Sequence, residues 1–520
     1  MPHEAGHETL PYPGTGIRAI RSPDDLKLFL LVTAFCVVLA SVIVATNGSL
    51  LSTSAFFAVS IIALLTIYRV DIGFMILIAM SLLFGQFQVP GIPTFTGSIS
   101  YFSNIKEISY LPSFDFGIAN PFELQFLFII AVWFARICIR NDYHVRPVAL
   151  WFPACLWFTW IVSAFVNGML RGGDFLPALW EARALMYLGV IYVFVPQVIR
   201  TKEQIAAFFW IAIACITFKA VEGIAIFIGN GWSMGTFQTL EAHEDPIFML
   251  TLIYLLFGLI VYGGHVRQRA VLLVLILPIL LGFYVGKRRA AYASMFLSFV
   301  GYLVLMPRKQ LIRTARFILP GILLLAVYAV VFWNSKGGIA GPLQQIKSGM
   351  DISEGGSAEA VQDRDYLSNL YRKIEDYDLL MTIRHAPAIG IGFGTRYEQP
   401  LYLVPLNFAL RDYEAHNSVV WLMVKGGMAG FFLFWVFMNC LAFRGASLFS
   451  RLNDPYLKTV CALSVVSVII LVSAAFYDLH FVWYRNAIYF GTLLGLIASI
   501  QNITRDNPGL LDDHNSPLSH

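Results

Sequence analysis

Apolar runs long enough to cross a bilayer recur along the whole chain, and they constrain its fold more than any other feature. They lie near 26–46, 51–68, 72–89, 121–139, 148–168, 183–199, 205–229, 247–263, 270–286, 290–306, 315–333, 417–443, 457–477 and 483–501. A hydrocarbon core about 30 Å thick takes about 20 apolar residues in a helix, so the runs predict about fourteen transmembrane helices. Inside lipid every backbone N–H and C=O must be bonded within the protein. That leaves an all-α, polytopic helical bundle as the fold class. Composition agrees: 58% of the 520 residues are hydrophobic and 13% are charged, against roughly 25% charged in a soluble domain. The net charge of +4 is small, and no nucleic-acid partner is expected. Cys36, Cys138, Cys155, Cys215, Cys440 and Cys461 lie in or beside apolar runs without metal-ligand spacing, and read as small apolar residues.

The connectors carry a topology. Arg136, Arg140 and Arg146, then Arg200 and Lys202, Arg267 and Arg269, Arg308 to Arg316, and Arg444 to Lys458 fall in alternate connectors. The positive-inside rule makes that set cytoplasmic. Both termini follow it: 1–25 as a disordered cytoplasmic N-terminus without a signal peptide, and 502–520 as a disordered cytoplasmic tail. Between them come helices 1–11 over 26–333, an outer loop over 334–416 and helices 12–14 over 417–501. The other outer segments are 91–120, 169–182, 230–246, 287–289 and 478–485. In the large loop, DRDYLSNLYRKIEDYDLLMTIRH places Leu367, Leu370, Ile374, Tyr377 and Met381 at spacings of three and four. That pattern predicts an amphipathic helix against the membrane domain.

Several polar constellations gather on the outer side. Lys287-Arg288-Arg289 turns a tight hairpin and breaks the positive-inside pattern. Snorkelling to the headgroups is one reading; an anion site is the other, since arginine forks match phosphate oxygens. Glu181 and Arg183 open the sixth span on the same side, and Arg372 lies on the amphipathic helix. Gly390 to Gly394, GIGFG, reads as a flexible turn; with no βαβ unit it is no nucleotide fingerprint. His416 stands where the loop enters a helix, with Asn417 and Ser418 as candidate caps. A helix N-terminus and nearby arginines disfavour imidazolium, so His416 is a candidate general base held neutral.

Three motifs in order resemble the O-antigen ligase and polymerase superfamily. They are K-R-R-A-A-Y in the hairpin, R-x14-P-A-I-G-I-G-F-G from Arg372, and A-H-N-S-V-V-W-L-x-x-x-G-G-M-A-G from Ala415. The usual Ser before the hairpin Arg is Lys or Arg here, which leaves Arg288 and Arg289 as alternatives. Lys425 stands where the family tends to have a polar or acidic residue, and it has no assigned role.

The resemblance implies a GT-C-like fold in the bacterial inner membrane with its site facing the periplasm. It implies a polysaccharide polymerase that moves repeat units from an undecaprenyl-diphosphate-linked donor to an acceptor glycan, inverting and metal-independent, with no cofactor. The alternative is a ligase that moves the finished glycan to lipid A core or protein; a membrane transporter is more distant. On this reading Arg183, Arg288 or Arg289, and Arg372 neutralise the diphosphate, and His416 deprotonates the acceptor hydroxyl. Glu241, His243, Glu244, Asn417, Asp478, His480 and Arg485 contact the acceptor or support the site. A chain-length regulator is a candidate partner, and the oligomeric state stays open.

Overall fold

The computed structural model describes residues 23–45, 48–86, 94–105, 119–139, 144–232, 240–335, 340–349, 364–404 and 410–511. The expectations for 1–22 and 512–520, and for parts of the outer segments at 87–93, 106–118, 233–239, 336–339, 350–363 and 405–409, lie outside the described residues. Contacts divide the chain into two units. The first takes in residues 1–64 and 105–118. Its described part is α1 (Pro23–Ala45) and most of α2 (Leu50–Tyr68). These two meet through Phe35 and Phe57, whose ring centroids are 5.8 Å apart.

The second unit holds the rest. In chain order its helices are α3 (Val70–Leu83), α4 (Pro121–Ile139), α5 (Trp151–Leu170), α6 (Phe175–Val198), α7 (Lys202–Gly229), α8 (Asp245–Val261) and α9 (Val266–Val285). Then come α10 (Arg289–Leu305), α11 (Arg308–Phe332), α12 (Gly341–Gly349), α13 (Arg364–His385), α14 (Ser418–Arg451), α15 (Pro455–Tyr477) and α16 (Tyr484–Asp506). The described residues form no strand beyond an isolated bridge between Leu452 and Leu511. Each apolar run coincides with a helix over most of its described residues, although α3 stops at Leu83. Eight of these helices are long and apolar enough to cross a membrane, or nine if the bent α11 counts as one span; shorter apolar stretches lie on α1, α2, α3, α8 and α10.

The layering follows polarity. α15 and α16 are buried almost throughout and sit at the centre, with α16 packed along α6 and α15, and α15 against α10, α14 and α8. Lipid offers no hydrophobic force between helices, so interior helices associate through close packing and small polar residues. Ser467 and Thr492 return their hydroxyls to Leu463 and Ile488 carbonyls, at 2.7 and 2.8 Å, and need no outside partner. The outer helices keep apolar faces exposed, as at Val274 and Leu277 on α9 and Leu324 and Val330 on α11. Such continuous apolar faces suit contact with lipid.

Two boundaries correct the sequence reading. The sixth span was expected to open at 183, but α6 begins at Phe175 after Asp174. Glu181 and Arg183 interrupt the apolar signal there, and both turn out to be buried inside the helix. The span expected over 417–443 extends to Arg451 and is broken at Gly427.

Candidate active site

The site lies where α9 ends and α10 begins, where α14 begins, where α15 ends, and where α13 lies across them. Gly286 caps α9, and Lys287 turns the hairpin with φ +45°, a left-handed conformation uncommon for a residue other than glycine. The two arginines that follow take different partners. Arg288 is directed at Asp478, with Nη1 4.0 Å from Oδ2. Arg289 reaches α13 and donates to Asn369 Oδ1 at 2.5 Å and to Ser368 Oγ at 3.2 Å.

Between these elements lies a cavity of about 490 Å³. Arg289, Arg372 and Lys373 line it with positive charge, beside Glu375, Asp376 and Asn417. Phe296, Leu297 and Phe476 line another part of it. Those three are 67%, 45% and 50% exposed, so the cationic chamber continues onto an apolar surface of α10 and α15. One space therefore offers arginine forks for phosphate oxygens and an apolar surface for a hydrocarbon chain.

His416 is joined to this chamber through two of its lining residues, its hydrogen-bond partner Glu375 and its chain neighbour Asn417. The buried Glu375 carboxylate accepts from the His416 backbone N–H at 2.9 Å and lies 3.1 Å from ring Nδ1. With Nδ1 turned to Glu375, Nε2 is the nitrogen left to take a proton from another molecule. Tyr371 meets the imidazole edge-on at 5.6 Å. Asn417 caps α14 by accepting from Val420 N at 3.2 Å, and its amide donates to Asp376 at 3.2 Å. The expectation of a histidine held neutral by the helix end and the arginines is corrected here. Burial disfavours the charged ring, but the Glu375 hydrogen bond and charge, with the charge of Asp478, outweigh burial and the repulsion of Arg372, so the pKa lies above the ordinary 6.5.

Behind His416 stands Asp478, at the C-terminal end of α15. Burial opposes its charge, yet His243, Arg288 and His480 together hold its carboxyl well below the usual range. His243 Nδ1 is 3.2 Å from it. Burial, opposed by Asp478, lowers Arg288 to about 10, which leaves it charged near neutrality. Burial lowers His480 to about 4, and its Nδ1 faces Asn486 Nδ2 at 2.7 Å. Ser418 donates to the Asp478 carbonyl at 3.1 Å, which ties the start of α14 to the end of α15.

The chain thus brings together His416, Asn417, Arg288, Arg289, Arg372, His243, Asp478 and His480. It does not bring Arg183 to the cavity lining. Arg183 is buried, with Nε 3.1 Å from Glu123 Oε1. Glu244 and Arg485 belong to a buried ionic group: Arg485 donates to Asp245 Oδ1 at 2.7 Å and to Ser81 and Leu82 carbonyls, with Glu244 at 3.6 Å. Glu241 borders a separate space of about 10 Å³ with Lys219 and Glu222. Among the described residues no three His, Cys, Asp or Glu side chains gather as a metal site.

Sequence reasoning missed Glu375, Asp376 and Lys373. Their signal was the position of Glu375 three residues after Arg372, on one face of a helix. It also missed the partner of Lys425, whose Nζ is 2.7 Å from Glu181 Oε1, both side chains fully buried.

A membrane-embedded helical protein whose cationic chamber meets an apolar groove is the class defined so far. Residues 271–435 match the family model described as O-Antigen ligase. The match covers about a third of the chain, and over that stretch the resemblance to the ligase and polymerase superfamily is borne out. The matched stretch encloses the hairpin arginines, α13, the glycine-rich loop and His416, while Arg183, Asp478 and His480 fall outside it. Among curated proteins, none matches the chain.

Proposed function

We propose that this protein is a polysaccharide polymerase. It transfers a glycan from an undecaprenyl-diphosphate-linked donor to an acceptor hydroxyl at the periplasmic face of the inner membrane, with inversion. A GT-C-like arrangement of its spans is part of the same proposal. The observation that carries it is that Glu375, which holds His416, also lines a chamber that is cationic at Arg289 and Arg372 and apolar at Phe296 and Phe476.

In the proposed step the acceptor oxygen attacks the anomeric carbon, and His416 Nε2 takes the hydroxyl proton. A C–O bond forms to the acceptor as the bond from the anomeric carbon to the diphosphate oxygen breaks. The lipid diphosphate leaves with the electron pair, and Arg289 and Arg372 stabilise its growing charge. Arg288 serves the pair indirectly, by holding Asp478 against the back of the site. His416 then releases its proton to solvent. Glu375 acts through His416: it fixes the tautomer and supports the imidazolium that forms.

A ligase differs only in its acceptor, and the family description favours keeping that second reading. The lipid-linked glycan that accumulates in a deletion strain decides between them. Single repeat units mark a polymerase and full-length chains a ligase. Normal glycan in the deletion strain, with no lipid-linked intermediate, overturns both.

A further inference from the structure

Lys425 is buried about two turns into α14 and is paired with Glu181 of α6, an arrangement that the transfer chemistry leaves unexplained. Its surroundings explain it. α14 breaks two residues later, at Gly427, where φ is +61° and ψ is −167°. That region is open essentially to glycine alone. A Cβ at Gly427 would also lie 2.5 Å from the Ala388 carbonyl.

Such a break strands the carbonyls of residues 424 and 425 and the N–H groups of 428 and 429, which an unbroken helix would pair with each other. Stranded groups are costly in lipid and persist only where protein satisfies them. The segment that follows α13 satisfies all four. Ile391 N donates to Val424 O at 2.9 Å and Gly392 N to Lys425 O at 3.0 Å. Met428 N donates to Pro387 O at 2.8 Å and Ala429 N to Ala388 O at 3.1 Å. The loop read as a flexible turn is therefore hydrogen-bonded, group by group, into a gap in a transmembrane helix.

The Lys425–Glu181 pair closes this joint from the side. Lys425 Nζ donates to Thr395 O at 2.6 Å, and Glu181 Oε2 accepts from Gly394 N at 2.5 Å. Each partner thus holds the other and one end of the glycine-rich segment. On the far side Phe393 N donates to Ala164 O of α5 at 3.1 Å.

α13 runs directly into this segment, and His416 stands next to Asn417, the cap of α14. The joint therefore sets the position of α13, which carries Arg372 and Glu375, relative to His416. We propose that Lys425 and Glu181 are positioning residues: together they lock the 387–395 segment into the break of α14 and so hold Glu375 and Arg372 in register with His416. This rests on the transfer reaction proposed above.

The test uses full-length protein in lipid nanodiscs, with Lys425→Met as the main variant and two readouts. The first is amide hydrogen exchange over 388–394, which needs no substrate. The second is turnover of a lipid-linked donor, measured in wild type, Lys425→Met, Glu375→Gln and the double variant. We expect faster exchange at Ile391, Gly392 and Gly394, and a kcat about 10²-fold lower, the scale of an ångström-sized misplacement. The donor KM should change far less than kcat, and the two substitutions should be strongly non-additive.

Unchanged exchange, a wild-type kcat, or additive effects in the cycle would overturn the proposal. If Lys425→Met is not recovered as monodisperse protein, the isosteric Glu181→Gln removes the charge and is read by the same outcomes. Absence of transfer by the wild-type protein defeats the functional reading instead, and the exchange measurement still judges the joint.

Discussion

Glu375 contacts His416 twice, at the backbone N–H and at ring Nδ1, so one carboxylate fixes both where the histidine sits and how it is turned. The first prediction follows from that double contact. His416→Ala should lower turnover within the range of about 10²–10⁴-fold that general-base catalysis supplies. Glu375→Gln should lower it at least about tenfold while donor binding persists. Steady-state kinetics on purified variants check both, and wild-type kcat in either removes the residue from the mechanism.

The same contact sets a pH dependence. In the proposed step His416 must be neutral to accept a proton, and its pKa lies above 6.5 because Glu375, with Asp478, outweighs burial. Activity should therefore climb with pH through a limb above 6.5, and Glu375→Gln should move that limb to lower pH. Stability runs the other way: a histidine with a raised folded pKa stabilises fully below 6.5 and loses that contribution as pH rises through the folded value. A kcat profile and a thermal-denaturation series across pH 5 to 9 read the two opposite slopes.

The arginines should separate by substitution. Arg289→Lys and Arg372→Lys keep the charge but lose the fork, and each should cost about 10²–10³ in kcat as an electrostatic donor does. Arg183→Lys should spare kcat and lower thermal stability, because Arg183 is paired with Glu123 away from the chamber. A kcat loss in Arg183→Lys as large as in Arg372→Lys would return Arg183 to the diphosphate site.

Arg485→Met tests the buried ionic group. It takes the guanidinium away from Glu244 and leaves Asp245 only Lys219, at 3.6 Å, as a cationic neighbour; removing one member of a buried pair typically costs about 3–5 kcal/mol. The melting temperature should fall well below wild type. A charge-neutral triple variant with Asp245→Asn and Glu244→Gln should recover part of it.

Topology is open to labelling. Tyr402 is 79% exposed on the loop after α13, so Tyr402→Cys should react with a membrane-impermeant maleimide in spheroplasts with an intact inner membrane. Reaction only after permeabilisation would place the chamber on the cytoplasmic side and end the proposed use of a periplasmic donor.

Hydropathy made the helices legible, because lipid leaves a chain few alternatives. It failed where charge sits inside a span. Glu181 and Arg183 hid the start of α6, since their burial depends on Lys425 and Glu123, residues far away in sequence. The same non-local cause hid the joint: Gly427 reads as one more small residue until Pro387 to Gly392 is seen to fill the gap beside it. Motif order pointed to His416 and Arg372, and to the hairpin arginines only as the alternatives Arg288 and Arg289. Glu375 was not, because the helix face that meets the histidine is chosen by docking and not by local pattern.

The opening of the chamber between Phe296, Leu297 and Phe476 changes how its substrate should be counted. A donor whose tail slides in from the side arrives by diffusion within a sheet, so its supply is a surface density and not a volume concentration. Half-saturation then belongs to a mole fraction of lipid. Diluting the membrane with inert phospholipid should slow the enzyme at fixed total donor, while diluting the same vesicles with buffer should leave each vesicle working at its former pace.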